Sequence, residues 1–524
     1  MKGVISLLLL ACMLLGTLML VGCPAPDDGG TTTTTKPNGG GEQPSEWADS
    51  LDTAAIRKEI GDTTDIVISC GEQYAYEIYA EEDSKGSLDQ LIYKRNKKIE
   101  ERFGVTITPD VTKRVGEVDL TSHLQYAQAE LRGMNPNFDL LSLQSARSGS
   151  LIGDGYYRNW RTAVPYARDS LAAGDEWWPE DMNRNLTIKG KQFVAVSDLS
   201  ITLIDEMFIV LFNESIVERD NIASAFGQKA GKNYTTMYDI VKDGKWTLDT
   251  MIDITKDLWY DHEQIGTPGA VDTEDVIGFY NSGGSEIDNF AYSFGFHPVD
   301  NDGVGDPSIW VLPSSYDTIV TKLRNFFNNS VGGHKGGFGY TYEARSQAFA
   351  EGHIVFMTGW LNDFQRESIR GMEDNRGVLP YPKLTEDQLE YKSSVGDALT
   401  ILSIPKFTTG RKLKLAGAMT VALSAETTKS IVQPYYEMVV KHDSGFVNKA
   451  AVEMVDMIMD GRVFDVCITH CSDLYFGEDL MKLHCFLRYL LNTATNQSAS
   501  GAWESAGPIL EGRMRDLIAI YDSL

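Results

Sequence analysis

Positive charge is what this 524-residue chain lacks most: 47 Lys and Arg stand against 74 Asp and Glu, for a formal net charge of −27. Nucleic-acid binding depends on cationic side chains that displace phosphate counterions, so that partner is excluded. An anionic lipid surface repels such a body for the same reason. Cysteine is sparse too, with six in all, and Cys12 and Cys23 both fall in the first 23 residues. Of the remaining four, Cys467, Cys471 and Cys485 lie close together with His470 and His484, but their spacing matches no usual zinc pattern. One disulfide or buried free thiols are the readings left open there. After the first 21 residues no apolar run approaches the roughly 20 residues that a membrane-spanning helix needs. Neither Gly-x-Ser-x-Gly nor His-Glu-x-x-His occurs, which removes the commonest hydrolase signatures. Two glycine-rich stretches carry no clear chemistry. Asp300–Asp306 has Val304 where a calcium loop needs an oxygen, and reads as a polar turn. Gly332–Gly337 lacks the Lys-Ser/Thr of a phosphate loop, and reads as a flexible connection.

What is present begins with a leader. Lys2 precedes the apolar stretch Val4–Met19, and Leu20-Val21-Gly22-Cys23 follows. That order is a secretory signal. Its end resembles the lipobox of bacterial lipoproteins, which implies cleavage after residue 22, lipidation of Cys23 and an extracytoplasmic body anchored to the cell membrane through lipid alone. Each buried acyl methylene is worth about 0.8 kcal/mol. Residues 23–46 contain Thr31–Thr35 and Gly39–Gly41 and bury too little apolar surface to fold, so they read as a disordered linker. Ordered structure is expected from Trp47 to Ile60 onward.

The body alternates short apolar strands with amphipathic helices. Strands are expected at Asp65–Ser69, Val105–Thr108 (stopped by Pro109), Phe138–Leu143, Gln192–Val196, Met207–Phe212, Val276–Phe279, His353–Met357 and Leu399–Ile404. Helices are expected over Leu88–Phe103, Leu124–Leu131, after Thr247, which can cap, and through most of the chain beyond Lys412. This is the α/β pattern of parallel sheets with helices on both faces, in which ligands bind beyond the carboxyl ends of strands.

Tyr93–Val105, Phe138-Asp-Leu-Leu141, Asp175-Glu-Trp-Trp178, Ile209–Asn213, Tyr238–Asp249 and Gly377–Lys383, taken in that order, resemble family 1 extracellular solute-binding proteins, the lipoprotein receptors of bacterial ABC importers. The resemblance implies a two-lobed periplasmic-binding-protein-like fold of type II, with each lobe a sheet flanked by helices. It places the N-terminal lobe at 55–205 and 390–430 and the C-terminal lobe at 206–389 and 431–524. Hinge crossings would lie near Asp205–Leu211 and Leu379–Ser394. It also implies a monomer that has no cofactor or metal, captures a solute between its lobes and delivers it to permease subunits.

Oligosaccharides are the commonest solutes of that family, and sugars pack an apolar face on aromatic rings while their hydroxyls pair with carboxylates and amides. The candidate ligand contacts are Gln73 and Tyr74 after the first strand, and Gln144 and Ser145 after the third. Tyr280 and Asn281 follow the Val276 strand. Trp360 (stacking, or else core) and Asp363 end the His353 strand, and Asp198 and Asp397 lie near the crossings. No catalytic residue is assigned. Two other functions compete: an exported carbohydrate-active hydrolase, and a sensor that binds the same solute but signals to a partner.

Overall fold

The apolar runs fold into ten strands of two sheets: β1 (Asp65–Gly71), β2 (Thr106–Thr112), β3 (Leu140–Gln144), β4 (Phe208–Asn213), β5 (Trp259–Tyr260), β6 (Val276–Asn281), β7 (Gly333–Lys335), β8 (Ile354–Trp360), β9 (Arg376–Leu379) and β10 (Thr400–Ser403). The computed structural model describes residues 48–113, 121–260, 275–336, 341–439, 448–477, 481–492 and 497–524. The leader, Cys23, the linker to residue 46, and Gly337 lie outside the described residues. Those described belong to one compact unit, Trp47–Leu524.

The first sheet has the order β10-β3-β1-β2, with β1 parallel to both β2 and β3 and β10 antiparallel to β3. From β1 the chain crosses to β2 on one side, and then to β3 on the other. The strand order therefore reverses between the carboxyl ends of β1 and β3, where open α/β sheets hold their ligands. The second sheet has the order β9-β4-β8-β6-β5, with β7 beside β6. Strands β4 and β8 are buried at every residue, as expected for central strands covered on both faces.

Helices complete the layers where apolar residues recur. Ser87–Phe103 buries Ile92, Ile99 and Phe103, and also Arg95, which donates to Thr427 Oγ1 (3.1 Å) and to the Glu77 carbonyl (2.8 Å). Thr247 caps Leu248–Thr255 by accepting from Thr250 N at 3.2 Å, as its position predicts. One long helical stretch from Gly410 to Val439 changes to a π turn at Thr428–Val432.

Three expectations are corrected. Strand β2 does not stop at Pro109 but runs through it, because β2 is an edge strand and a missing N–H costs little there. Gln192–Val196 is not a strand; only Ala195 bridges to Leu402, on the open side of β10. The glycine stretch at 332 is not a loose connection. Gly333–Lys335 forms β7, and a Cβ on Gly332 would lie 1.9 Å from the Thr255 carbonyl oxygen, so only glycine permits that approach.

The polar turn at Asp300–Asp306 is as expected, with Asp302 Oδ1 accepting from Val304 N and Gly305 N at 2.8 Å each. Cys70, Cys467, Cys471 and Cys485 are buried free thiols. Among the described residues no helix is long and apolar enough to cross a membrane.

Candidate functional site

Two passages of chain run side by side where the sheets meet. Residues 205–207 lead into β4, and 395–399 lead into β10. Met207 bridges Val395 in antiparallel fashion, and Gly396 N donates to the Glu206 carbonyl at 2.8 Å. The second passage thus lies just past Ser394, where sequence reasoning ended it. The carboxyl ends of β1 and β3 and the start of β10 share one edge of the first sheet. In the second sheet the ends of β6 and β8 and the start of β4 share another.

The first edge carries Gln73, Tyr74, Gln144, Ser145 and Asp397. Gln73 folds over Gly71, and its buried Oε1 has no hydrogen-bond partner. The same holds for Oε1 of Gln144, a residue only 5% exposed. Gln144 stands opposite Thr400 in the antiparallel pair, so the two side chains share a face of the sheet. On that face Thr400 Oγ1 donates to Glu77 Oε2 at 2.8 Å. Ser145 N donates to the Leu399 carbonyl and its hydroxyl meets Thr469 Oγ1 at 2.9 Å, so it is occupied in packing. No hydrogen bond or ion pair engages the half-buried Asp397 carboxylate among the described residues. Burial, together with Glu206, Glu77 and Asp397, pushes the Tyr74 phenol far above its usual range.

The second edge is more closed. Asn281 is fully buried, its Nδ2 donating to Thr358 Oγ1 (3.0 Å) and its Oδ1 accepting from Gly283 N (2.8 Å); Tyr280 is buried beside it. Asp363 accepts from Arg345 Nη2 (3.0 Å), Trp360 N (3.0 Å) and Arg366 Nε (2.5 Å), while Arg345 also holds Glu286 at 2.5 Å. These three residues are enclosed in structure. Trp360 is 8% exposed and packs on Phe208, with the Arg345 guanidinium 5.3 Å from its ring centre. Its Nε1 edge lies toward the seam between the passages, 3.2 Å from where a Gly396 Cβ would sit. Asp198 belongs to the helical passage, its Oδ2 accepting from Thr428 Oγ1 at 2.6 Å where the π turn begins.

Sequence reasoning missed Glu206. A Gly396 Cβ would lie 2.7 Å from its Oε2, so glycine at 396 leaves room for this carboxyl. Burial first, then Asp205, Asp397, Asp363 and Glu77, raise its pKa to about 8. Burial likewise raises Glu77 to about 7 and Asp205 to about 6, although hydroxyls and a backbone N–H offset part of this. The available signal was an acidic residue set directly against the apolar run Met207–Phe212. Among the described residues no group of three or more His, Cys, Asp or Glu is placed to hold a metal ion.

Trp177 and Trp178 are buried in packing, and both indole N–H groups donate to Ser170 Oγ, at 3.2 and 2.9 Å.

No protein-family model and no curated protein sequence matches this chain. Among the solved structures similar to it is a sugar transporter from Rhizobium etli in an open conformation, at 12% identity and a TM-score of 0.50, covering 87% of this chain and 99% of that one. A maltose/maltodextrin-binding domain from Bdellovibrio bacteriovorus bound to maltotriose has 14% identity and a TM-score of 0.49, covering 86% and 100%. A family 1 extracellular solute-binding protein from Bifidobacterium longum subsp. infantis has 14% identity and a TM-score of 0.48, covering 88% and 99%. At such identities the likeness is one of fold, and it rests on the first. With its two sheets meeting strand-end to strand-end, this chain has the two-lobed α/β fold of the periplasmic-binding-protein type.

Proposed function

We propose that this protein is a solute receptor of an ABC importer, which captures a sugar between its lobes and passes it to permease subunits without chemical change. The observation that carries this reading is the set of polar groups at the facing strand ends that have no partner among the described residues: Gln73 Oε1, Gln144 Oε1, Asp397 and Glu206. Buried acceptors left without donors cost stability, and a ligand that supplies the donors offsets that cost. The fold shared with a sugar transporter supports it. In this reading 55–205 with 390–430 forms one lobe, 206–389 with 431–524 forms the other, and a monomer suffices. Lipid on Cys23 would hold the body outside the cell.

Gln73, Tyr74, Gln144, Asp397 and the Trp360 edge are the proposed contacts, with Glu206 added to them. Ser145, Tyr280, Asn281 and Asp363 would support the cleft from within, and Asp198 would act through the helical passage.

The test is melting temperature against a sugar panel, with the sugars recovered and analysed afterwards. One sugar class should raise the melting temperature by several degrees and return intact, since a ligand at 100 times its Kd adds about 2.7 kcal/mol. A flat response across the panel rejects the sugar receptor. Two carboxyls in a cleft are also what a glycoside hydrolase places around its bond, so cleaved sugar would favour that reading instead.

A further inference from the structure

The proposed contacts are unequally supplied with donors and acceptors. Two amide oxygens and two carboxyls at the facing strand ends have no donor among the described residues. Glu206 is the extreme case, because its strongest electrostatic neighbours are all carboxylates: Asp205 beside it, Asp397 on the second passage, Asp363 past β8 and Glu77 in the helix after β1. Tyr74 faces it as well.

Four arginines of this region make their hydrogen bonds and ion pairs elsewhere, although Arg488 still feels the Asp397 charge at longer range. Arg345 holds Glu286 and Asp363, and Arg366 holds Asp363 and Glu343. Arg488 lies 2.9 Å from Asp288, and Arg95 spends its guanidinium on Asn96, Thr427 and backbone carbonyls. Of the other buried carboxyls around Glu206, Glu77 accepts from Thr202 N and Thr400 Oγ1, and Asp205 from Tyr76 and Tyr435. Of these carboxyls only Glu206 and Asp397 have no hydrogen bond or ion pair among the described residues. Gln144, nine-tenths buried and turned to the Glu77 face, offers a third acceptor.

A neutral sugar hydroxyl brings one donor together with two acceptor lone pairs, whereas an ammonium brings three donors and no acceptor. Resting on the receptor reading above, we propose that the ligand is an amino sugar with a free amine, and that Glu206, beside Asp397 and the Trp360 edge, is the residue that seats the ammonium group. Ionised Glu206 then faces a positive charge where its strongest charged neighbours are otherwise carboxylates. Because burial and those neighbours hold the free carboxyl to about 8, seating an ammonium at pH 7 drives a proton off it.

The test compares a tetramer of glucosamine, its fully N-acetylated counterpart and a neutral glucose tetramer by calorimetry on the purified protein and on Glu206→Gln. The free-amine tetramer should bind the parent at least about tenfold tighter than the acetylated one, and Glu206→Gln should bring that ratio close to one. Titrations in buffers of different ionisation enthalpy should show a proton released by the parent and none by the variant. Affinity for the free amine should fall by up to about tenfold for each pH unit below 8. Equal binding of the tetramers by the parent, or a preference that survives Glu206→Gln, overturns the assignment while leaving the sugar receptor standing. Binding of none of the three overturns this inference, and a flat response to the wider panel then removes the receptor reading with it.

Discussion

Two groups of polar side chains flank the end of β8, and only one of them has its charges paired. On one side Arg345 sits between Glu286 and Asp363, and Arg366 and the Trp360 N–H also reach Asp363, while Glu286 Oε2 alone is left without a hydrogen bond. On the other side Glu206 and Asp397 approach each other across the seam with no hydrogen bond or ion pair among the described residues, and Gln73 and Gln144 add two vacant acceptors. Depth differs as well: Arg345, Glu286 and Asp363 are almost fully enclosed, whereas in the second group only Gln144 is, and Gln73, Glu206 and Asp397 are half-buried. Deep burial or a single vacant oxygen therefore does not mark the functional group; partial exposure together with missing counter-charges does. The closed network of paired charges holds the strand end, and the unpaired one waits for a partner.

The sharpest way to break this comparison is Arg345→Met. It leaves Glu286 buried without a counter-charge and Asp363 with Arg366 alone, and should cost about 3–5 kcal/mol in urea unfolding. A loss under about 1 kcal/mol would mean that the network is not what fixes the end of β8. Glu206→Gln should behave in the opposite way. A folded-state pKa near 8 against an ordinary 4.5 means the native protein holds a proton that the unfolded chain releases. That contribution is fully present below pH 4.5 and is lost as pH rises toward 8. The variant should therefore match its parent near pH 4.5 and exceed it near pH 8 by up to about 4 kcal/mol, at about 1.4 kcal/mol per pH unit. Glu77, Asp205 and Asp288 carry raised pKa values of about 7, 6 and 7, so a shallower slope of the same sign should persist in the variant. Greater stability of the parent at pH 8 would show that a cation of the chain already serves Glu206. The smallest effect is expected from Gln144→Leu, which removes an unsatisfied buried acceptor. Thermal unfolding should change by less than about 1 kcal/mol, and upward. A loss above 2 kcal/mol would place Gln144 with the closed network.

Most of the strands were legible because apolar β-branched runs bounded by polar turns leave little choice at Asp65–Gly71, Phe208–Asn213 and Ile354–Trp360. Gly333–Lys335 was not, since its place in the second sheet depends on a close approach to Thr255 that no local pattern encodes. The site shows the same limit. Strand ends pointed to Gln73, Tyr74 and Gln144 through position alone. Asn281 and Asp363 occupy equally good positions, yet partners distant in sequence (Thr358 for one, Arg345 for the other) fill their hydrogen bonds. Whether a polar group is satisfied is a tertiary fact. Glu206 was hidden for that reason, because only the placement of its distant neighbours leaves it with no hydrogen bond or ion pair among the described residues.

Pro109 has a consequence beyond the length of β2. A sheet margin with a regular row of amide donors is a template on which another chain can add itself, and crowding raises that hazard. An imino acid in the middle of the margin, followed directly by the charge of Asp110, breaks the row where a visiting strand would have to bond. Many copies of this protein can then be packed together without zipping into one another.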